Sequence, residues 1–199
     1  MIKGVHGTCR HYAESIEEEG FKSSSYGRMG SGAYFWRYFS CADFAEYLGF
    51  SWWKKEHKRG AYNKIQGVPR SQRDESKKCA LVHCEIAVDP DREVLDLSSG
   101  AAKENVRKML RAKLEQLSEV AGQDKDKAIS ELIDLYVKTT ERNAGTSYKV
   151  VITDVATPGI AVGSVGAYLG SSAEAIVARD VSCITFSDTK EVESYDYVK

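Results

Sequence analysis

An α+β fold is what this sequence predicts. Two amphipathic helical segments stand back to back inside a strand-rich chain, a near-continuous apolar strand precedes them, and further strands close the sequence, with shorter helices near the front. At 199 residues the chain is long enough for one domain, 1–199, with a sizeable core. Hydrophobic residues at 42%, charged residues at 29% and only 3 Pro describe an ordinary globular protein and exclude collagenous, coiled-coil and disordered classes.

Ile2 to Thr8 reads as a first strand, and Tyr12 to Gly20 as a short helix ending at a Gly-Phe pair suited to a C-terminal cap. Lys22 to Gly32 is polar and glycine-rich, hence a loop, and it runs into the aromatic strand Ala33-Tyr34-Phe35-Trp36. Ala42, Phe44, Ala45 and Leu48 suit a helix, with Ser40 or Asp43 as its cap. Cys79 to Val88 is the apolar strand; Asp89-Pro90-Asp91 turns the chain, and Glu93 to Leu97 is expected to pair beside it. Val106, Leu110, Leu114 and Leu117 space one helix over Ala101 to Val120, and Ile129, Leu132, Ile133 and Tyr136 a second over Asp126 to Thr140. A strand at Tyr148 to Val155, a glycine-spotted loop from Pro158 to Gly170, and strands near Glu174 to Ala178 and Val181 to Phe186 complete the reading. No internal repeat is visible.

The formal charge of −1 excludes a chain that binds nucleic acid by bulk electrostatics, so any such binding must be local. The segment 53–78 holds nine Lys and Arg against three acidic residues, a net +6 that leaves −7 for the rest of the chain. No apolar run reaches about 18 residues, and Met1 to Arg10 lacks the apolar stretch of a signal peptide; a cytoplasmic protein away from the membrane is expected. Five scattered cysteines, Cys9, Cys41, Cys79, Cys84 and Cys183, read as reduced thiols, with Cys79 and Cys84 as core packing. No metal is implied, because His6, His11, His57 and His83 share no ligand spacing with cysteines or carboxylates.

Three features stand out. His6-Gly7-Thr8 ends the first strand, Gly30-Ser31-Gly32-Ala33-Tyr34-Phe35 enters the second from a loop, and Glu174 opens a late apolar strand. Singly, each has an ordinary structural reading: a satisfied histidine, a core tyrosine, a solvated carboxylate. In this order, with Ile16 and Gly20-Phe21 between the first two, they resemble the His-Tyr-Glu pattern of ADP-ribosyltransferases of the poly(ADP-ribose) polymerase-like, diphtheria-toxin-like class. The resemblance extends through His6-Gly-Thr-Cys-Arg10, Tyr26 to Phe35, Ala42 to Tyr47, Leu81 to Val88, Thr157 to Gly163 and Ala173 to Val177, about two thirds of the chain. It leaves out a basic insert at about 53–78 and most of a helical insert at about 100–142.

The resemblance implies a split β-sheet core and NAD as the ADP-ribose donor. It assigns His6, with Thr8 nearby, to the adenosine ribose, Gly7 to close approach of the carboxamide, and Tyr34 to the pyridinium face, with Phe44 or Tyr47 as the opposite wall. Ala42 stands about where the family carries a serine for the carboxamide, so Ser40 is expected to substitute. Stacking on Tyr34 is worth about 1–2 kcal/mol but stabilises the ground state. The rate term belongs to Glu174, whose carboxylate against the ribose 2′-hydroxyl would stabilise an oxocarbenium-like transition state. Asp180, an even number of residues on, is its main competitor, while Glu85 is expected to be too deep in its strand. The sister Arg-Ser-Glu toxins place a Glu or Gln two residues before the catalytic one; Ser172 stands there, which discounts arginine as acceptor.

For the acceptor, Lys54, Lys55, Lys58, Arg59 and Trp53, with Trp52 and Tyr62 close by, form the basic and aromatic mixture that binds phosphates and stacks bases. The expected activity is single ADP-ribose transfer to nucleic acid, as in a toxin or phage-defence effector held by an inhibitory partner. Protein modification through the helical hairpin, NAD glycohydrolysis, and a non-catalytic NAD, ADP-ribose or nucleic-acid binding module are the alternatives. A solvated basic loop is the plain reading of the charged segment.

Overall fold

The computed structural model describes residues 1–27, 29–117, 123–158 and 172–194. Among them the strands β1 (Ile2–Cys9), β2 (Ala33–Tyr38), β3 (Cys79–Ile86), β4 (Val94–Asp96), β5 (Val150–Ala156), β6 (Ser172–Ala178) and β7 (Ile184–Val192) form one sheet in the order β4-β5-β6-β2-β1-β3-β7. The helices are α1 (Arg10–Glu19), α2 (Asp43–Lys58), the single turn α3 (Arg73–Ser76), α4 (Gly100–Gln116) and α5 (Gln123–Ala144). The α+β expectation holds at this level.

Strand alternation divides the core. On one face Ile2, Phe35, Cys84, Ile152 and Ile176 pack together, with Ala13 of α1 against Ala80 and Val82. On the other, Val5, Trp36 and Leu81 meet Ala45 and Leu48 of α2, and Val151 and Val177 meet Val106 of α4 and Ile133 and Val137 of α5. The helical hairpin is therefore packed on the sheet through α5, whose Ile133 and Val137 are fully buried. Glu46 of α2, also buried, accepts from Lys190 of β7 at 2.5 Å and faces His83 Nε2 of β3 at 3.2 Å, a polar tie from helix to sheet.

Two expectations change here. The segment around Glu93 does not pair with the strand before it: β4 runs parallel to β5, Leu95 opposite Val151. Both edges of β3 are already taken, by β1 and by β7, so the chain must cross to the far side of the sheet, and the α4–α5 hairpin supplies the long connection that a parallel pair requires. The basic segment, in turn, does not begin as a separate insert. Trp53, Lys54, Lys55 and Lys58 belong to the last turns of α2, because Trp53 packs beside Cys9, Tyr62 and Ile65 and its indole N–H donates to the Lys77 carbonyl at 3.1 Å. The N-cap of α2 is Ala42, and neither Ser40 nor Asp43 caps it.

The seven strands form one continuous sheet, with a local opening between β1 and β2. β1 pairs with β3 along its whole length but with β2 only through Lys3, Gly4 and Val5. From His6 onward β1 is no longer paired with β2, while Ala33 to Trp36 pair with β6 along the other edge of β2.

Candidate functional site

A cleft of about 680 Å³ lies at this opening. His6, Gly7, Thr8 and Tyr34 line it, with Phe21 and Ile16 on the α1 side and Trp52, Glu56 and Arg59 of α2 on the other. Trp52, Glu56 and Arg59 share one helical stripe, so the end of α2 that begins the basic segment borders the cleft.

His6 bridges the gap between the strands. Its Nδ1 lies 2.8 Å from the Tyr34 carbonyl oxygen, which can only accept, so Nδ1 carries a proton. Burial lowers the His6 pKa more than that carbonyl raises it, which keeps the ring neutral and leaves Nε2 as an acceptor. Edge-on packing against Phe21 and Phe35 holds the ring plane. Tyr34, next to Phe35 along the strand, sends its ring to the opposite face, among Met29 and the α5 residues Ile133 and Val137.

The Tyr34 hydroxyl donates to the Gly30 carbonyl at 2.6 Å and accepts from the Met29 N–H at 2.9 Å; burial pushes its pKa up, so it remains a phenol. It thereby pins the loop that enters β2, and α5 pins the same loop from outside. The Gly27 N–H donates to Ser130 Oγ at 3.2 Å, and the Ser31 N–H to Asp134 Oδ2 at 3.1 Å. Arg179, just after β6, donates to Asp134 Oδ1 at 2.6 Å. A side chain at Gly27 would stand 2.4 Å from the Tyr34 hydroxyl, so glycine there makes room for the tyrosine. Ser130, Asp134 and Arg179 carried no signal in the sequence, since their partners are remote in the chain.

Thr8 is buried, and Gly7 faces Gly49 of α2. Ser40, Phe44 and Tyr47 are not among the described residues that line the cleft; Ser40 and Phe44 are exposed. The acceptor residues separate likewise. Trp52, not Trp53, borders the cleft, with Lys55 Nζ 4.9 Å from its ring centroid, while Lys54 lies 5.9 Å from that of Phe50. Lys58 and Arg59 are exposed, Arg59 with Glu56 at 3.4 Å, and Tyr62 is buried in the core and removed from any stacking role.

Glu174 opens β6 on the face that carries Ile176 and, across β2, Phe35 and the His6 ring. It is not among the described lining residues, although its neighbour Ala175 is. Its Oε2 accepts from Arg37 Nη1 at 2.9 Å. The two rival carboxylates fall into structural places. Asp180 lies beyond the end of β6, where it caps a short 3-10 turn by accepting from the Ser182 N–H at 3.0 Å and hydroxyl at 2.6 Å, and those hydrogen bonds hold its carboxyl low. Glu85 is half-buried rather than deep and faces Lys3 at 3.9 Å, because the end of β3 approaches the sheet margin. Arg28 and the loop expected to follow Pro158, from 159 to 171, lie outside the described residues.

No family model matches this chain, and neither a curated protein nor a solved structure does. No helix among the described residues is long and apolar enough to cross a membrane.

Proposed function

We propose that this chain is a mono-ADP-ribosyltransferase that cleaves NAD and passes ADP-ribose to a macromolecular acceptor, with nucleic acid as the favoured class. The observation that carries the reading is the neutral His6 held across the β1/β2 opening by the Tyr34 carbonyl, with Nε2 left as an acceptor beside a cleft of about 680 Å³. That is the state a ribose hydroxyl donor needs. A cleft of this size also falls in the range of pockets that enclose small organic ligands.

In this reading His6 Nε2 accepts from an adenosine ribose hydroxyl and Tyr34 walls the nicotinamide end. The C1′–N bond breaks with its electron pair going to the nicotinamide nitrogen. The positive charge that develops on the ribose is stabilised by Glu174 through the 2′-hydroxyl. An acceptor oxygen or nitrogen then bonds to C1′ and its proton leaves to solvent. Ser40, Phe44 and Tyr47 lose support as donor contacts, and Trp53 as an acceptor contact. Trp52 and Arg59 gain it, because they put the basic end of α2 at the cleft.

The test is incubation with labelled NAD and cell extract, followed by protease or nuclease. Label released by nuclease and absent from the Glu174→Gln protein supports the full reading. Label released only by protease redirects the acceptor to protein. Free nicotinamide without macromolecular label reduces the activity to glycohydrolysis, and no nicotinamide release overturns it.

A further inference from the structure

Glu174 has a built-in orienting partner that its position in the strand pattern does not reveal. Arg37 of β2 lies directly beside it in register, one step beyond the Trp36–Ala175 pair. The Nη1–Oε2 contact of 2.9 Å holds one carboxylate oxygen, and Oε1 has no hydrogen-bond partner among the described residues. The guanidinium is itself held: its carbon lies 4.4 Å from the centroid of the Phe39 ring.

The neighbouring strands explain why a cation stands beside this carboxylate. Asp154 of β5 lies directly opposite Glu174 on its other side and is paired with Lys103 of α4, and Asp96 follows on β4. Burial opposes ionisation of Asp96, but hydrogen bonds from Ser98 and Ser99 and the charge of Arg37 hold its carboxyl low. Three carboxylates thus occupy adjacent strands, and like charges placed side by side on a sheet repel. Lys103 answers Asp154 and Arg37 answers Glu174.

We propose that Arg37 is a positioning residue for Glu174: it fixes Oε2 and leaves Oε1 for the substrate. The inference rests on the transferase reading. A glutamate free to rotate about its side-chain bonds would meet the 2′-hydroxyl only part of the time. A planar guanidinium clamped by an aromatic ring selects one orientation in a way that a flexible ammonium does not. The pair is partly exposed, 23% for Arg37 and 37% for Glu174, and such pairs contribute little to stability, so its loss should appear in rate and not in folding. The sign is diagnostic. A guanidinium beside the carboxylate weakens the negative field acting on a developing cation, so a purely electrostatic role would make its removal accelerate the reaction.

The experiment compares NAD cleavage by the full chain with Arg37→Met, which keeps the alkyl stem, and Arg37→Lys, with Glu174→Gln as reference. Expected is a kcat lower by about tenfold or more in Arg37→Met, from misplacement of one reacting group. KM for NAD and Tm should stay unchanged, Arg37→Lys should fall between, and added guanidinium ion should restore part of the Arg37→Met rate. Unchanged or raised kcat, a loss confined to KM, or a loss accompanied by a lower Tm and no guanidinium rescue each overturns the proposal. A wild-type chain that does not cleave NAD, or a Glu174→Gln chain that cleaves it at the full rate, instead removes the transferase reading itself.

Discussion

Gly7 of β1 and Gly49 of α2 meet backbone to backbone: a Cβ built on Gly7 would stand 2.0 Å from the Gly49 carbonyl oxygen. Gly49 is less confined: its own Cβ would lie 3.0 Å from the end of the Leu81 side chain. α2 can therefore approach β1 this closely only because Gly7 lacks a side chain, and Trp52 and Arg59 further along line the cleft. The sequence motif suggested that Gly7 serves the donor carboxamide; packing against α2 is a separate and sufficient reason for glycine there.

Gly7→Ala should accordingly destabilise the whole chain, by about 1–3 kcal/mol or more, as overpacking against backbone does. Urea unfolding measures it. A Gly7→Ala protein of wild-type stability with a raised KM for NAD would show that the glycine serves a ligand and not the helix.

His6 predicts a pH dependence with a definite sign. Burial holds its folded pKa below 6.5, the value the unfolded chain is expected to show. As pH falls below 6.5 the unfolded state binds a proton that the folded state refuses, so stability is lost until the folded pKa is passed, and the full contribution is present above 6.5. Unfolding free energies measured between about pH 5 and 7 should fall towards acid more steeply for wild type than for His6→Gln, in which this site no longer titrates. Parallel profiles would mean that His6 titrates alike in the folded and unfolded chain, so that burial does not hold the ring neutral as the proposed role requires.

What the sequence made legible was set by local periodicity. The apolar run of β3, the aromatic start of β2 and the stripes of α4 and α5 each carry their signal within a few residues, and each stands in the structure with small shifts of its ends. The position of β4 did not, because its partner β5 follows only after two helices and the deciding fact is that β3 has no free edge. In the site, His6 and Tyr34 came from a motif. Ser130 and Asp134 instead reach residues 103 positions away, and nothing in an isolated serine or aspartate announces that. The choice between Trp52 and Trp53 depended on the phase of α2, which no one-residue pattern resolves.

Asp134 ties the cleft's entry loop to α5 and to Arg179 at once. Asp134→Ala leaves the Ser31 N–H and the largely buried Arg179 guanidinium without their acceptor, at a cost of roughly 1–3 kcal/mol. Because Tyr34 is pinned to the same loop, the loss should also raise KM for NAD more than it lowers kcat. Hydrogen exchange is the direct reading: the amide of Ser31 should lose protection in the variant while β1 and β3 keep theirs. Uniform loss of protection would mean that Asp134 supports the fold as a whole and not the loop.

The two tryptophans of α2 predict opposite phenotypes. Trp53 is half-buried, packs beside Cys9, Tyr62 and Ile65 and donates to Lys77, so Trp53→Ala should cost about 1–3 kcal/mol, less than truncating a fully buried aromatic. Trp52 borders the cleft, with Lys55 over its ring. If a nucleic-acid acceptor stacks there, Trp52→Ala should fold normally and weaken acceptor binding by about 1–3 kcal/mol, the worth of one stacked base. Charge reversal at Lys54, Lys55, Lys58 and Arg59 should weaken it further and flatten its salt dependence, because fewer counterions are released on binding. Thermal unfolding separates the first variant from the second, and titration of labelled oligonucleotide at two salt concentrations separates stacking from charge. Oligonucleotide binding unchanged in both the Trp52 and charge-reversed proteins would take the acceptor away from α2 and return the basic segment to a solvated surface.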